Sequence, residues 1–237
     1  MYWIAGHPDF AVERYFSETE WKRRLADELK SRRVDVVLDV GANSGQYAGS
    51  LRAADFEGRI VSFEPLSKPF SILKSAVARD ALWECRRCAL GDHDGTIAIN
   101  VSGNAGASSS VLPMLTSHHD ACPRGDYIGT EEVPISRLDS LAADILRRGD
   151  VTFLKVDVQG FEKQVLTGAQ STVNRHCIGI QLELSFVPLY AGGMLIREAL
   201  DLAYSSGFRL RGYMPIFMDV RGGRVLQADG VFFRADD

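Results

Sequence analysis

The chain predicts an α/β fold with a mainly parallel central sheet and an antiparallel edge. Three observations carry that expectation. Val34 to Gly45, VDVVLDVGANSG, reads as a buried strand, a glycine turn and a helix start. Further apolar strands alternate with helical stretches along the chain, the pattern of crossover-connected parallel strands. After Gly207 the pattern changes to short β-like runs broken by Pro215 and by Gly222-Gly223, which points to the antiparallel edge.

The length of 237 residues and the 46% hydrophobic content suit one sizeable core. Two parts are expected: an N-terminal helical extension, residues 1–33, and a domain from 34 to 237. The net charge of −4 argues against a nucleic-acid partner, which would ask for a basic surface. Cys85, Cys88, Cys122 and Cys177 offer no zinc-ligand spacing, since Cys85 and Cys88 fall in an expected strand, and they read as reduced thiols. The first ten residues lack the basic and apolar regions of a signal peptide, and no apolar run is long enough to span a bilayer. A cytoplasmic protein is the expectation.

In order, Phe10 to Arg33 has Val12, Tyr15, Phe16, Trp21 and Leu25 at helical spacing, and should pack on the sheet or cover a cleft. A helix follows the glycine turn to about Ala54. A second strand ends at Glu64, where Pro65 stops it, and a helix runs from Lys68 to Arg79. Ala81 to Leu90 reads as a third strand, followed by the turn GDHDG and a short strand from Thr96 to Val101. Ser102 to Pro123 is small, polar and long, the character of a mobile lid. Glu132 to Ile135 reads as an edge strand, and Ser136 as the N-cap of a helix to Arg148. Val151 to Asp157 is a buried strand. Lys155 inside it needs a partner or a route to solvent. Gln159, Gly160 and Glu162 open a helix that ends near Gly168, Ile178 to Leu184 is the next core strand, and Met194 to Ser206 is a helix stopped by Gly207.

The ligand of the glycine turn follows from charge and shape. A dinucleotide fingerprint needs a middle glycine where Asn43 stands, between Gly41 and Gly45, and Asp39 would repel a pyrophosphate. Asp39 would instead attract an ammonium group. S-adenosylmethionine offers one, together with an adenosine and a sulfonium. Glu64, at the end of the second strand, suits both ribose hydroxyls. Asp92 falls where an adenine edge could be contacted, and serves equally well as a turn residue. His118 and His119 are acid–base candidates in the long segment. Asp157 and Glu183, at the carboxyl ends of two core strands, are the best rim carboxylates.

Several stretches taken together resemble the FkbM-type methyltransferase family. They are LDVGANSGQY (Leu38 to Tyr47), FEP (Phe63 to Pro65), the serines at 108–110, RLDSL (Arg137 to Leu141), LKVDVQGFE (Leu154 to Glu162) and QLEL (Gln181 to Leu184). The resemblance implies a Rossmann-like class I methyltransferase fold. It also implies S-adenosylmethionine-dependent methylation of a hydroxyl on a natural product or on a sugar of a glycolipid or glycan. Gln159 departs from the family's commoner glutamate, so no charge is expected from position 159.

A hydroxyl nucleophile needs a base, and Asp157 or Glu183 could serve. Together they could instead hold Mg²⁺ or Mn²⁺, but no third ligand stands out and the metal-free version is preferred. Asp157 could also bind the cofactor's amino group, and Glu183 could pair with Lys155. Two other functions compete: an NAD-linked oxidoreductase, disfavoured by Asn43 and Asp39, and a non-catalytic module binding an adenosine ligand.

Overall fold

The computed structural model describes residues 17–219 and 221–235. Helix α1 (Glu18–Ser31) starts at Ser17, whose hydroxyl accepts from the Glu20 amide while Glu20 reaches back, a capping box that fixes the first turn. The expected helix from Phe10 therefore lies partly outside the described residues. Next come β1 (Val36–Val40), α2 (Gln46–Ala53), β2 (Arg59–Phe63), α3 (Ser67–Val77), β3 (Trp83–Arg86), β4 (Ala89–Leu90) and β5 (Gly95–Ser102). They are followed by α4 (Thr116–Ala121), β6 (Tyr127–Ser136), α5 (Leu138–Ile145), β7 (Thr152–Val156), α6 (Glu162–Gly168) and α7 (Gln170–His176). The chain closes with β8 (Cys177–Ser185), α8 (Ile196–Ser205), β9 (Phe208–Asp219) and β10 (Arg224–Arg234).

Seven strands form one sheet in the order β3-β2-β1-β7-β8-β10-β9. The pairs from β3 to β8 are parallel, and β10 runs antiparallel to both β8 and β9. This is the expected mainly parallel sheet with an antiparallel edge. Alternation along the strands sends side chains to two cores. Leu38, Val61, Leu154 and Leu182 meet α5 to α8 on one face. Val37, Ile60, Phe153 and Phe233 meet α1 to α3 on the other. Each face is covered, so the central strands read as nearly continuous apolar runs.

The structure corrects several expected elements. Residues 81–90 are two strands in two sheets: the chain leaves the main sheet after Arg86, and β4 joins a small sheet ordered β4-β6-β5. Cys88 lies outside β3, and the four cysteines are free. The expected short edge strand at 132–135 is the end of the long β6, the middle strand of that small sheet. Ser136 is its last residue rather than an N-cap. The start of α5 is instead tied by Asp94, which accepts from the Arg137 amide at 2.9 Å and the Ser140 hydroxyl at 2.8 Å. Helix α7 was not expected. The four β-like runs of the tail are the two long strands of one hairpin. Pro215 sits on the edge strand β9 beside a register shift, where its missing N–H costs no ladder bond.

The serine-rich segment is more structured than a loose lid. The Asn104 side-chain oxygen accepts from the Ser102 hydroxyl at 2.7 Å and the Ser108 amide at 3.1 Å, and Asn104 donates to the Ser108 hydroxyl at 2.9 Å. A bridge between Asn100 and Ser110 closes its base. Ser102, Ser108 and Ser110 are buried.

Candidate active site

A cavity of about 340 Å³ lies at the carboxyl ends of β1, β2 and β7. The strand order reverses between β1 and β7, the position where open α/β sheets bind ligands. The turn after β1 forms its floor. Gly41 has φ +75°, and a Cβ there would stand 1.8 Å from the Asp157 carbonyl oxygen, so only glycine lets the ends of β1 and β7 approach this closely. Asn43 also takes a left-handed conformation, φ 48°, and its amide donates to Glu64 at 2.8 Å. Gly45 precedes α2 at φ 92°.

One end of the cavity is largely apolar, with Leu66, Leu90, Ile99, Phe161 and Val158 on its walls. Glu64 borders it. One carboxylate oxygen accepts from Asn43 and the other from the Leu66 amide at 2.9 Å. A carboxylate offers about four lone-pair sites, so Glu64 keeps capacity for two hydroxyl donors. The serine-rich segment supplies a further wall through Gly106, Ala107 and Ser109 to Val111. Asn43 ties this wall to the glycine turn by donating to the Ala105 carbonyl at 3.2 Å.

The other end is charged, and β-register explains how. Ser62, Asp39, Lys155 and Gln181 are register partners across four adjacent parallel strands, so they form one polar row on one sheet face. Ser62 donates to Asp39 at 3.0 Å, and Trp83 donates to Ser62 at 3.0 Å. The Lys155 ammonium lies 3.1 Å from Asp39 and 3.6 Å from Asp157, and donates to the Gly41 carbonyl at 2.9 Å. Lys155 thus finds its partner in Asp39, not in Glu183. Tyr47 from α2 donates to Gln181 at 3.1 Å, and its ring centroid lies 5.4 Å from the Lys155 ammonium. Asp229 of β10 and Glu18 and Lys22 of α1 also line this end.

Asp39 is fully buried beneath Lys155 and is not among the residues lining the cavity. Asp157 does line it, with its side chain about one-third exposed at 34%. Glu183 sits behind it, buried and off the lining, and the two carboxylates are joined by Gln159. The Gln159 amide nitrogen lies 2.9 Å from Asp157 and 3.2 and 3.0 Å from the two oxygens of Glu183. A divalent ion does not fit between them, because N–H donors already point into that space. Burial, then the charges of Asp157, Glu162 and Asp229, hold the Glu183 carboxyl well above the usual carboxylate range.

Asp92 lies off the cavity, in the turn before β5, paired with His93 at 2.8 Å. The two histidines are also placed away from it. His118 is buried between Tyr190 and Phe217, with ring centroids at 5.3 and 5.2 Å, and burial lowers its pKa. His119 is exposed and pairs with Asp126 at 2.6 Å, which raises its pKa. Neither lines the cavity. Gln159 was the residue that sequence reasoning undervalued. Its departure from the family's glutamate was the available signal.

Burial pushes Glu64 up from 4.5 to about 7 and Asp229 from 3.8 to about 7. Their folded-state pKa values lie above the unfolded ones, so the folded state holds these protons more tightly. Stability is therefore fullest below the unfolded values and is lost as pH rises through about 7. The melting temperature of the unliganded protein is expected to fall across that window. Asp229→Asn should flatten the fall, and an unchanged slope in that variant would remove Asp229 from the account.

The cavity thus lies at the switch point of the parallel sheet, with Glu64 after β2 and Asp157 after β7 on its lining. A profile described as "Methyltransferase FkbM domain" matches residues 39–210, most of the chain. The protein belongs to the FkbM methyltransferase family and has the Rossmann-like class I methyltransferase fold. That assignment displaces the NAD-linked reading. A curated relative, Methyltransferase 1 of Beauveria bassiana (strain ARSEF 2860), is 23% identical over 142 residues, 56% of this chain. The alignment spans 57% of that relative's length. Among solved structures, the chain is similar to precorrin-6y C5,15-methyltransferase from Geobacter metallireducens. Identity is 12%, coverage is 95% of this chain and 94% of that one, and the TM-score is 0.46. Aeropyrum pernix fibrillarin, solved with natively bound S-adenosyl-L-methionine, is 10% identical, with 84% and 66% coverage and a TM-score of 0.46. No helix among the described residues is long and apolar enough to cross a membrane.

Proposed function

We propose that the protein transfers a methyl group from S-adenosylmethionine to a hydroxyl of a small-molecule or glycolipid acceptor. A sugar of a glycolipid or glycan, or a natural-product alcohol, is the acceptor class that the family resemblance favours. The observation that carries the reading is Asp157, a partly exposed carboxylate on the charged end of the cavity. A neutral alcohol attacks only as its proton leaves, and a carboxylate at the cavity wall can take that proton.

The cavity's chemistry fits the methyl donor. Leu66, Leu90 and Phe161 offer an apolar wall for the adenine, and Glu64 offers acceptor capacity for the ribose hydroxyls. Lys155 and Asp229 supply charges of both signs, and Gln181 a carboxamide, for the amino-acid end. When bound, S-adenosylmethionine supplies an electrophilic methyl whose bond to sulfur breaks with its electron pair left on sulfur. Asp157 takes the acceptor proton as the oxygen forms its bond to carbon. The apolar walls keep water from competing.

The proposed boundary of residues 1–33 and 34–237 leaves α1 in the extension, yet Glu18 and Lys22 border the cavity, so the extension shares in the site's mouth. A cytoplasmic setting is proposed, in keeping with four free thiols.

Titration calorimetry should register binding of S-adenosylmethionine and S-adenosylhomocysteine. Glu64→Ala should weaken it by about 1.5–3 kcal/mol, the range for lost charge-assisted hydrogen bonds. Undiminished affinity would take Glu64 out of the site. A labelled-methyl screen over saccharides, glycolipids and polyketides tests the acceptor. Stoichiometric binding with no transfer to any hydroxyl would replace this reading with a binding module.

A further inference from the structure

Gln159 is held more firmly than a residue between a strand and a helix requires. Its backbone lies in the left-handed region, φ 55°, which non-glycine residues rarely adopt and which tends to accompany function. Its carbonyl accepts from the Ser110 hydroxyl at 2.7 Å, which anchors it to the cavity wall. Its side-chain oxygen accepts from the Tyr190 hydroxyl at 2.7 Å. Tyr190 is itself buried, and burial holds its hydroxyl firmly protonated, so it remains a donor.

The two carboxylates and the tyrosine donor together decide which way the amide points. With the oxygen committed to Tyr190, the nitrogen faces Asp157 and Glu183. The reversed amide would set its oxygen against both carboxylates and lose both donations to them. The amide has two N–H groups and meets two carboxylates. It links the two acidic side chains by donation. One oxygen of Asp157 is thereby bound, and the other is left to the Lys155 ammonium at 3.6 Å and to the cavity.

We propose that Gln159 is the positioning residue of this site: its carboxamide, held by Tyr190, bridges Asp157 and Glu183 and fixes Asp157 with one oxygen bound and one presented to the acceptor. The inference rests on Asp157 acting as the base. A glutamate at position 159 would have no hydrogen to donate when ionised, and would bring a third carboxylate to the cluster. The charged and titratable groups facing Asp157 are then Lys155 on β7, Asp39 on β1, Glu162 on α6, Glu183 on β8, Asp229 on β10 and Tyr190. Lys155 is the cation beside Asp157 that opposes the added charge, and Lys22 lines the same end of the cavity.

Three variants test this: Gln159→Glu, Gln159→Leu and Tyr190→Phe. The first readout needs no turnover. Melting temperatures of the unliganded proteins are followed between about pH 5 and 8. Gln159→Glu should lose stability relative to the parent as pH rises, because a carboxyl set between two others is raised above its unfolded value. A pH trace parallel to the parent's would overturn the bridge. The second readout is methyl transfer against pH. Gln159→Leu should move the acid limb of kcat up by about one unit, since the ionised base loses a donor, while the cofactor KM stays within about two-fold. Tyr190→Phe keeps the ring and should move the limb in the same direction by less. Unchanged acid limbs in Gln159→Leu and Tyr190→Phe would overturn the positioning role even if Gln159→Glu does not fold. Should the parent methylate no hydroxyl while the melting traces diverge, the bridge stands and the proposed reaction falls.

Discussion

Asp157→Asn is expected to lower turnover by about 10²–10⁴-fold, the usual worth of a positioned base. Cofactor affinity by calorimetry should hold within a few-fold. The asparagine keeps the shape of the carboxylate but cannot take a proton, and of Asp157 and Glu183 it is Asp157 that lines the cavity. Glu183→Gln should cost less, because Glu183 lies behind the Gln159 amide and acts only through it. Full activity in Asp157→Asn would sink the assignment. Equal losses in both variants would mean that the pair works as one group.

The second large effect concerns stability. Lys155→Met should destabilise the protein by about 3–5 kcal/mol in urea unfolding, the range for removing one partner of a buried pair. Asp39 is fully buried, and with Lys155 gone it keeps only the Ser62 hydroxyl as a close partner among the described residues. Adding Asp39→Asn to Lys155→Met should recover much of the loss, since the stranded charge is then gone. A loss under about 1 kcal/mol in the single variant would show that Asp39 is served without the lysine.

The parallel strands were legible because burial on both faces leaves an apolar run with a sharp end. Val36 to Val40 and Thr152 to Val156 are entirely buried in their patterns. Glu64 was legible for the same reason, since its place after a strand fixes its place on the rim. What failed depended on pairing between distant segments. Residues 81–90 look like one strand because nothing local announces that Arg87 and Cys88 carry the chain from one sheet to another. The tail looked like four strands because Pro215 breaks an interior strand but not an edge one. Lys155 was visibly anomalous, yet its partner depended on the register of β1 against β7, which local pattern does not encode. His118 and His119 were attractive by residue type alone, and packing sets both apart from the cavity lining. Gln159 was read for the charge it lacks. Its actual asset is a pair of hydrogens, whose value appears only once Asp157, Glu183 and Tyr190 surround it.

The small sheet has a consequence for how such a protein can diversify. Gly95, where β5 begins, is the register partner of Ile135 near the end of β6. The intervening chain therefore departs and returns at neighbouring points, and along the way it supplies the serine-rich wall of the cavity. The seven-stranded sheet uses none of it in its ladders. A stretch anchored side by side at both ends behaves as an exchangeable cassette: it can be lengthened, shortened or recombined while the scaffold beneath keeps its path. Change in what the cavity admits can accumulate there, apart from the strands that hold Glu64, Lys155 and Asp157 in place.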